Sequence, residues 1–285
     1  MIELIRLTDR ILYSAPDHET DQPILAAILG DRYTLMMDGG VSPEVARAFT
    51  SALRMQTGRR VDFVVVTHWH WDHTFGLAGV DAPVIAHRNT AAHLKRMAGY
   101  ASWEDDALEA RIADGEEITF CADCIRKVYP GERRSRIEIR QADIVYDCTL
   151  TLDLGGVRCN LIPLPPVHTN DSVALHLAQE GVLFLGDSTG PNSYDRPKYY
   201  SVPAVLELAD LVRSLGADCI VESHGEPMNE ETFWAYNGIL EIAAHCVKAG
   251  ITDEKSLLRE LKNSLGELPE DAEEIAECFI NGIGR

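Results

Sequence analysis

His68-Trp69-His70-Trp71-Asp72-His73 places four side chains able to bind a metal within six residues, directly after the run Val61-Asp62-Phe63-Val64-Val65-Val66-Thr67. That run is short, β-branched and nearly continuous in its apolar residues, the pattern of a strand buried on both faces. The ligand-type residues therefore stand at a strand end. In extended backbone His68 and His70 point to one side, and Asp72 and His73 can surround a second centre once the chain turns. Neutral imidazoles with a carboxylate suit zinc or a similar borderline divalent ion. A solvated His-rich tract is the plainer reading, but four ligand types at this spacing behind a buried strand point to a metal loop.

Further along, His168 lies in Pro166-Val167-His168-Thr169-Asn170-Asp171-Ser172, Asp187 follows Val182-Leu183-Phe184-Leu185-Gly186, and His224 follows Cys219-Ile220-Val221-Glu222-Ser223. Each stands beside a strand-like run. Earlier, Asp38 occupies Leu35-Met36-Met37-Asp38-Gly39-Gly40. The pattern H-x-H-x-D-H with these motifs in this order resembles the metallo-β-lactamase superfamily over roughly residues 2 to 228. One such motif would be weak; the ordered set is specific.

The resemblance implies an α/β chain folded as a four-layer αβ/βα sandwich. It implies one divalent ion held by His68, His70 and His168 and another by Asp72, His73 and His224, with Asp187 bridging and Asp38 supporting the metal loop from behind. Seven ligands also exceed what one tetrahedral zinc accepts. Two ions about 3.5 to 4 Å apart would acidify a shared water and clamp the oxygens of a displacement. The expected cofactors are therefore two divalent ions, zinc first, with iron or manganese as alternatives. The expected chemistry is attack by a metal-bridging hydroxide on a small ester-like substrate: a thioester, lactone, phosphoester or amide. Asp72 is expected to serve catalysis as well as ligation, and Tyr194, soon after Asp187, to offer its phenol to a tetrahedral intermediate.

Two departures bear on the substrate. The zinc β-lactamases mostly carry Cys where this chain has Asp187, and a harder carboxylate bridge is similar to the hydrolases of thioesters, lactones and phosphodiesters. The segment Val167-His168-Thr169-Asn170-Asp171-Ser172 departs from the G-H-T-P-G-S of glyoxalase II and is closer to β-lactamase-like branches. His70 stands where the diiron flavoproteins usually have Glu. From another class, a mononuclear iron oxidoreductase resembling the persulfide dioxygenases is the alternative. A non-catalytic binding protein on this fold would be expected to have lost some of the ligands.

At 285 residues, 46% hydrophobic and 25% charged, the chain can bury a large core and has no run long enough to span a membrane. Seven scattered cysteines favour reduced thiols. No secretory signal is readable at the start, so a cytoplasmic location is expected. The net charge of −19 disfavours nucleic acid as a partner. A small molecule is the expected partner.

Two similar halves follow from the strand and helix signals. Strands are expected near 2–7, 10–14, 24–29, 32–37, 61–67 and 83–86, and again near 148–154, 157–164, 173–178, 182–186 and 218–222. Helices are expected from Ser42-Pro43 to about Gln56, over Thr90 to Met97, and over 203–215. Residues 1–228 form the expected sandwich, with an insertion at about 99–147. Residues 229–285 form a helical extension, with twelve acids against five bases, whose apolar face is expected to cover the sandwich. The same face would suit a homodimer. The insertion holds Arg126, Lys127, Arg133, Arg134, Arg136 and Arg140 against Glu132 and Glu138. It is expected to rim the metal pocket and determine substrate choice, with Arg133, Arg134 and Arg136 holding an anionic group. The plainer reading is a charged surface strand paired with neighbouring acids. Cys121-Ala122-Asp123-Cys124 is a lone C-x-x-C, more often incidental than a zinc or redox pair. His18, His87, His93, His176 and His245 read as surface or hydrogen-bonded residues, and Trp69 and Trp71 as packing under the metal loop.

Overall fold

The computed structural model describes residues 2–285. Strands β1 (Ile5–Arg6), β2 (Ile11–Ser14), β3 (Leu25–Leu29), β4 (Thr34–Met37), β5 (Phe63–Val65), β6 (Val84–His87) and β7 (Ile144–Tyr146) form one sheet in that spatial order. Its first four strands are antiparallel, as hairpins allow, and β4 to β7 are parallel. The second sheet holds β8 (Leu150–Asp153), β9 (Arg158–Pro163), β10 (Val173–Leu177), β11 (Val182–Gly186), β12 (Cys219–Glu222) and β13 (Met228–Asn229), in the order β13-β12-β11-β10-β9-β8. Only its β11–β12 pair is parallel.

Side-chain parity explains the layers. In β3 and β4, Ala26, Ile28, Leu35 and Met37 join a core shared with Val173, Leu175, Val182 and Phe184 of the other sheet. Their neighbours Leu25, Ala27 and Met36 face the opposite way, into a second core. In β10 and β11, Ala174, Leu183 and Leu185 likewise turn away from the facing sheet into a third. Strands apolar at every position thus have both faces covered, giving helix, sheet, sheet, helix.

Helix α1 (Pro43–Thr57) starts where the Ser42 hydroxyl accepts from the Val45 amide and Pro43 opens the first turn, and it stops at left-handed Gly58. With α2 (Trp71–Thr74), α3 (Arg88–Ala98), α4 (Asp105–Asp114) and α5 (Thr119–Val128), it brings Phe49, Trp71, Leu94, Leu108 and Ile125 to the core outside the first sheet. Helix α6 (Val202–Leu215) and the tail helices α7 (Glu230–Lys248), α8 (Glu254–Leu265) and α9 (Ala272–Asn281) bring Val205, Phe233, Leu257 and Phe279 to the core outside the second sheet. Among the described residues all seven cysteines are free, and no helix is long and apolar enough to cross a membrane.

The insertion departs from expectation. Arg126–Arg140 is not a strand: it comprises the end of α5 and a 3-10 turn over Gly131–Arg136. Arg126 contacts Asp105, Glu109 and Asp123, while Arg134, only 7% exposed, contacts Asp105 and the Tyr129 carbonyl. The guanidinium groups tie the inserted helices together, and the strand of this segment, β7, comes later and extends the first sheet beyond β6.

Candidate metal centre

Each ligand-type residue lies just beyond the C-terminal end of a strand. Asp38 follows β4, His68 to His73 follow β5, His168 follows β9, Asp187 follows β11 and His224 follows β12. The two sheets meet face to face, so these ends converge along one edge, where loops carry side chains over a rigid base. Asp38 adopts φ 60°, a left-handed conformation that Asp tolerates better than most residues. Its turn accepts the metal loop closely: the Gly39 amide donates to the His73 carbonyl at 2.7 Å, and the Gly76 amide to the Gly40 carbonyl at 2.7 Å. A Cβ on Gly76 would lie 1.9 Å from the Gly39 oxygen, so glycine is required there.

Hydrogen bonds orient the imidazoles. Asp38 is fully buried; its Oδ1 accepts from the Thr67 amide at 2.8 Å, and its Oδ2 from the Thr67 hydroxyl at 2.9 Å and His73 Nδ1 at 2.8 Å. The Thr67 hydroxyl proton is thereby committed, so Thr67 Oγ1 is an acceptor for His68 Nδ1 at 3.2 Å. His168 Nδ1 donates to the Pro191 carbonyl at 3.0 Å. In His68 and His168 the proton therefore sits on Nδ1 with the Nε2 lone pair directed inward, and in His73 the Nδ1 proton is fixed by Asp38, which leaves Nε2 as the atom that would ligate.

Those Nε2 atoms converge on one carboxylate. Asp187 Oδ2 lies 3.7 Å from His68 Nε2, 3.9 Å from His168 Nε2, and 3.4 Å from both His73 Nε2 and His224 Nε2. Asp72 Oδ2 lies 2.9 Å from His73 Nε2 and 3.3 Å from His224 Nε2, and His70 Nδ1 lies 3.1 Å from His168 Nε2. The result is two sets of donors, each mutually within 4.8 Å: His68, His70, His168 and Asp187, and Asp72, His73, Asp187 and His224. Buried His68 Nε2, His73 Nε2, Asp72 Oδ2 and Asp187 Oδ1 have no hydrogen-bond partner, which a coordinated cation would supply. Two histidine nitrogens at 3.1 Å and a neighbouring carboxylate are the donor chemistry of a zinc-type ion. The cluster fits metal binding.

Electrostatics separate the sets. Burial, with the neighbouring histidines, holds His68 and His70 well below the ordinary imidazole range, and burial also lowers His168, so this set is neutral and ready to coordinate. Burial opposes charge at His73 and His224 as well, but nearby Asp72 and Asp187 outweigh it, raising His73 well above its ordinary value and His224 to about 10. The second set holds one carboxylate more than the first, and a cation would balance it once the imidazoles give up their protons. Asp21 adds another carboxyl group: its Oδ1 is 3.9 Å from His224 Nδ1, and burial together with Asp72 pushes it up to about 7. Asp21, also at φ 60°, was not anticipated from the sequence; its only signal there is an acidic turn 203 residues before His224, a pairing that tertiary structure alone creates.

Other expected site residues lie elsewhere. The Tyr194 ring packs against His70, with centroids 4.8 Å apart, and against Trp69, but its hydroxyl donates to Glu117 Oε1 at 2.9 Å. The phenol expected to face a tetrahedral intermediate is instead turned toward the insertion, held by a buried acceptor that outcompetes a solvent-facing site. Arg133 pairs with Glu44 at 3.3 Å and Arg134 with Asp105 at 2.8 Å. None of Arg133, Arg134 and Arg136 lines the space beside the cluster. That space is a cavity of about 620 Å³. His168, Asp187 and His224 form one end, and the tail helices form the other through Tyr236, Leu240 and Ile275. The tail, not the insertion, walls it. Trp69 stacks on His93 with centroids 4.8 Å apart, and Trp71 is buried beneath the loop, both packing as anticipated.

Known structures share this architecture. A metallo-beta-lactamase from Pontibacter korlensis aligns with a TM-score of 0.56 at 18% identity, covering 81% of this chain and 94% of its own. A metallo-beta-lactamase family protein from Thermus thermophilus aligns at 0.55 and 17% identity, covering 97% and 92%. A stereoselective inverting sec-alkylsulfatase from Pseudomonas sp. aligns at 0.63 and 14% identity; the match covers 96% of this chain but 46% of the alkylsulfatase. At such identities the likeness is one of fold. The family model described as the Metallo-beta-lactamase superfamily matches residues 22–224, a span running from beside Asp21 to His224. The chain belongs to the metallo-beta-lactamase superfamily.

Proposed function

We propose that the chain is a metal-dependent hydrolase of a small ester-like substrate (thioester, lactone, phosphoester or amide), using two divalent ions, best matched by zinc, held by the two donor sets. The observation that carries this reading is Asp187, the residue that both sets share. When bound, such ions supply a water acidified toward neutral pH and a Lewis acid for the carbonyl or phosphoryl oxygen. The protein's part is positioning. Asp38 and Thr67 hold His68 and His73 in one tautomer, and the Pro191 carbonyl does the same for His168. Asp72, whose Oδ2 faces His73 and His224 and would hold an ion with them, has its other carboxylate oxygen left to take the proton that the attacking water gives up. The cavity beside Asp187 receives the substrate and excludes bulk water from its deep end.

Superfamily membership makes hydrolysis the natural class, and the intact second set favours two ions over one. Metal analysis of purified protein, followed by assays on a thioester, a lactone, a phosphoester, an amide and a sulfate ester, tests the reading. Close to two ions per chain and metal-dependent turnover of one of these are expected. A single iron with oxygen consumption would support the oxidoreductase alternative instead.

A further inference from the structure

The cavity beside the cluster has a charge pattern that the sequence did not suggest. Its ionisable lining, beyond His168, Asp187 and His224, consists of Glu222, Glu226, Asp271, Glu274 and the phenols of Tyr200 and Tyr236; among the described residues no lysine or arginine contributes. Two of these acids are already engaged. Glu222 accepts from Thr189 and, at 3.4 Å, from Asn237, and Glu274 pairs with Lys198. Glu226 and Asp271 have no side-chain hydrogen bond or salt bridge among the described residues, and both are exposed toward the mouth. Tyr236, 63% exposed, lines the same cavity, and Met228, Leu240 and Ile275 add apolar lining. The Ser223 hydroxyl is buried in the lining with no hydrogen-bond partner among the described residues, a polar group that an occupant of the cavity would satisfy.

We propose that this cavity selects a substrate with an apolar body and a cationic, ammonium-type head, the head resting at Glu226, Asp271 and Tyr236 while the scissile group lies at the metals; this rests on the hydrolase reading above. Two unpaired carboxylates and an exposed aromatic ring lining one cavity are the chemistry of ammonium recognition, combining charge attraction with the ring's negative face. An anionic group at the same end would meet those carboxylates on a protein of net charge −19. The N-terminus of α9, a place where an anion could otherwise settle, is occupied by Asp271 at its cap and by Glu273 and Glu274 in its first turn.

Butyrylthiocholine and its neutral isostere S-(3,3-dimethylbutyl) thiobutyrate separate charge from shape. With zinc-loaded enzyme, kcat/KM for the cation should exceed that for the isostere by about tenfold, a ratio that falls severalfold as salt screens the mouth. The ratio should collapse toward one in E226Q/D271N, whose two changes lie at exposed positions where neither side chain makes a hydrogen bond among the described residues. A ratio at or below one, or one unchanged in the double variant, overturns the proposal. Calorimetry with n-hexyltrimethylammonium, which cannot be hydrolysed, keeps the two readings apart. Its binding, weakened in E226Q/D271N, would support the cavity assignment even if no ester were turned over and the hydrolase reading failed. Hydrolysis of the neutral thioester with no binding of this cation would sink the cavity assignment alone.

Discussion

Replacing Asp38 tests whether the metal loop is set from behind. Its two carboxylate oxygens receive three buried donors: the Thr67 amide, the Thr67 hydroxyl and His73 Nδ1. Asp38→Ala would strand all three, at about 1–3 kcal/mol each, and would add about 1 kcal/mol because alanine at φ 60° lacks the short polar side chain that makes this conformation tolerable. Much of a typical domain's stability would go, which makes Asp38→Asn the sharper variant. It conserves shape and accepts the left-handed turn, yet it must place an amide NH2 at one of the two oxygen positions. At the Oδ1 position that NH2 meets the Thr67 amide, donor against donor. At the Oδ2 position it donates to His73 Nδ1, which then requires the other tautomer and puts a proton on the Nε2 that should coordinate. The expected result is a folded protein with metal affinity reduced about 10–100-fold, the usual scale for losing an outer partner of a ligating histidine. Chelator competition reads the affinity, and urea unfolding of the metal-free protein reads the fold. Affinity within twofold of wild type, with an unchanged urea midpoint, would refute the assignment of Asp38 as the group that orients His73.

Gly76→Ala should destabilise by about 3 kcal/mol or more, visible as a lowered melting temperature, because its Cβ would sit 1.9 Å from the Gly39 oxygen in a loop held on both sides. Asp187→Ala and His70→Ala should abolish turnover while circular dichroism and urea unfolding stay near wild type, since the three apolar cores are complete without them; full activity in both variants would remove the cluster from the mechanism. Arg134→Ala should lower stability by about 1–3 kcal/mol through loss of its bonds to Asp105 and the Tyr129 carbonyl, yet leave relative rates on acidic and neutral substrates unchanged. His224, raised to about 10, is protonated at pH 7.5 in the metal-free protein and must lose that proton to coordinate, and His73 is shifted in the same direction by Asp72 and Asp187. Metal uptake should then release at least one proton and weaken as pH falls, and calorimetry in buffers of different ionisation enthalpy would expose a protein that releases none.

What could be read in advance was whatever a short window encodes. The metal loop, the apolar runs of β5 and β11, and the Ser42-Pro43 start of α1 each carry their signal within about ten residues, and each stands where expected. The insertion was harder. Helix α4 buries only Leu108 and Arg111, so its apolar stripe is too thin to read, and β7 is a three-residue edge strand with Ile144 and Val145 exposed. The six bases of Arg126–Arg140 suggested an anion because composition cannot show that Asp105, Glu109, Asp123 and Glu44 would be folded against them. Tyr194 was placed by sequence distance from Asp187, but direction is set by Glu117, 77 residues earlier. Asp21 and the acidic mouth formed with Asp271 depend on segments that meet only in three dimensions.

The alternation of strand residues between cores has a consequence for how this chain can change length. One residue inserted within β11 would exchange Leu183 and Leu185 with Val182 and Phe184, putting each side chain into the wrong layer. It would also carry Asp187 about 3.3 Å along the strand, comparable with the 3.4–3.9 Å that now separate it from four imidazoles. The four strands that lead to ligands are thus locked to a common count: an insertion or deletion in β5 or β11 disturbs both donor sets, and one in β9 or β12 disturbs the set that holds His168 or His224. Segments 99–143 and 229–285 lie outside that constraint. A change of length there leaves the ligand-bearing strands in register, and one within α7 or at the start of α9 remodels the mouth that Tyr236 and Asp271 line.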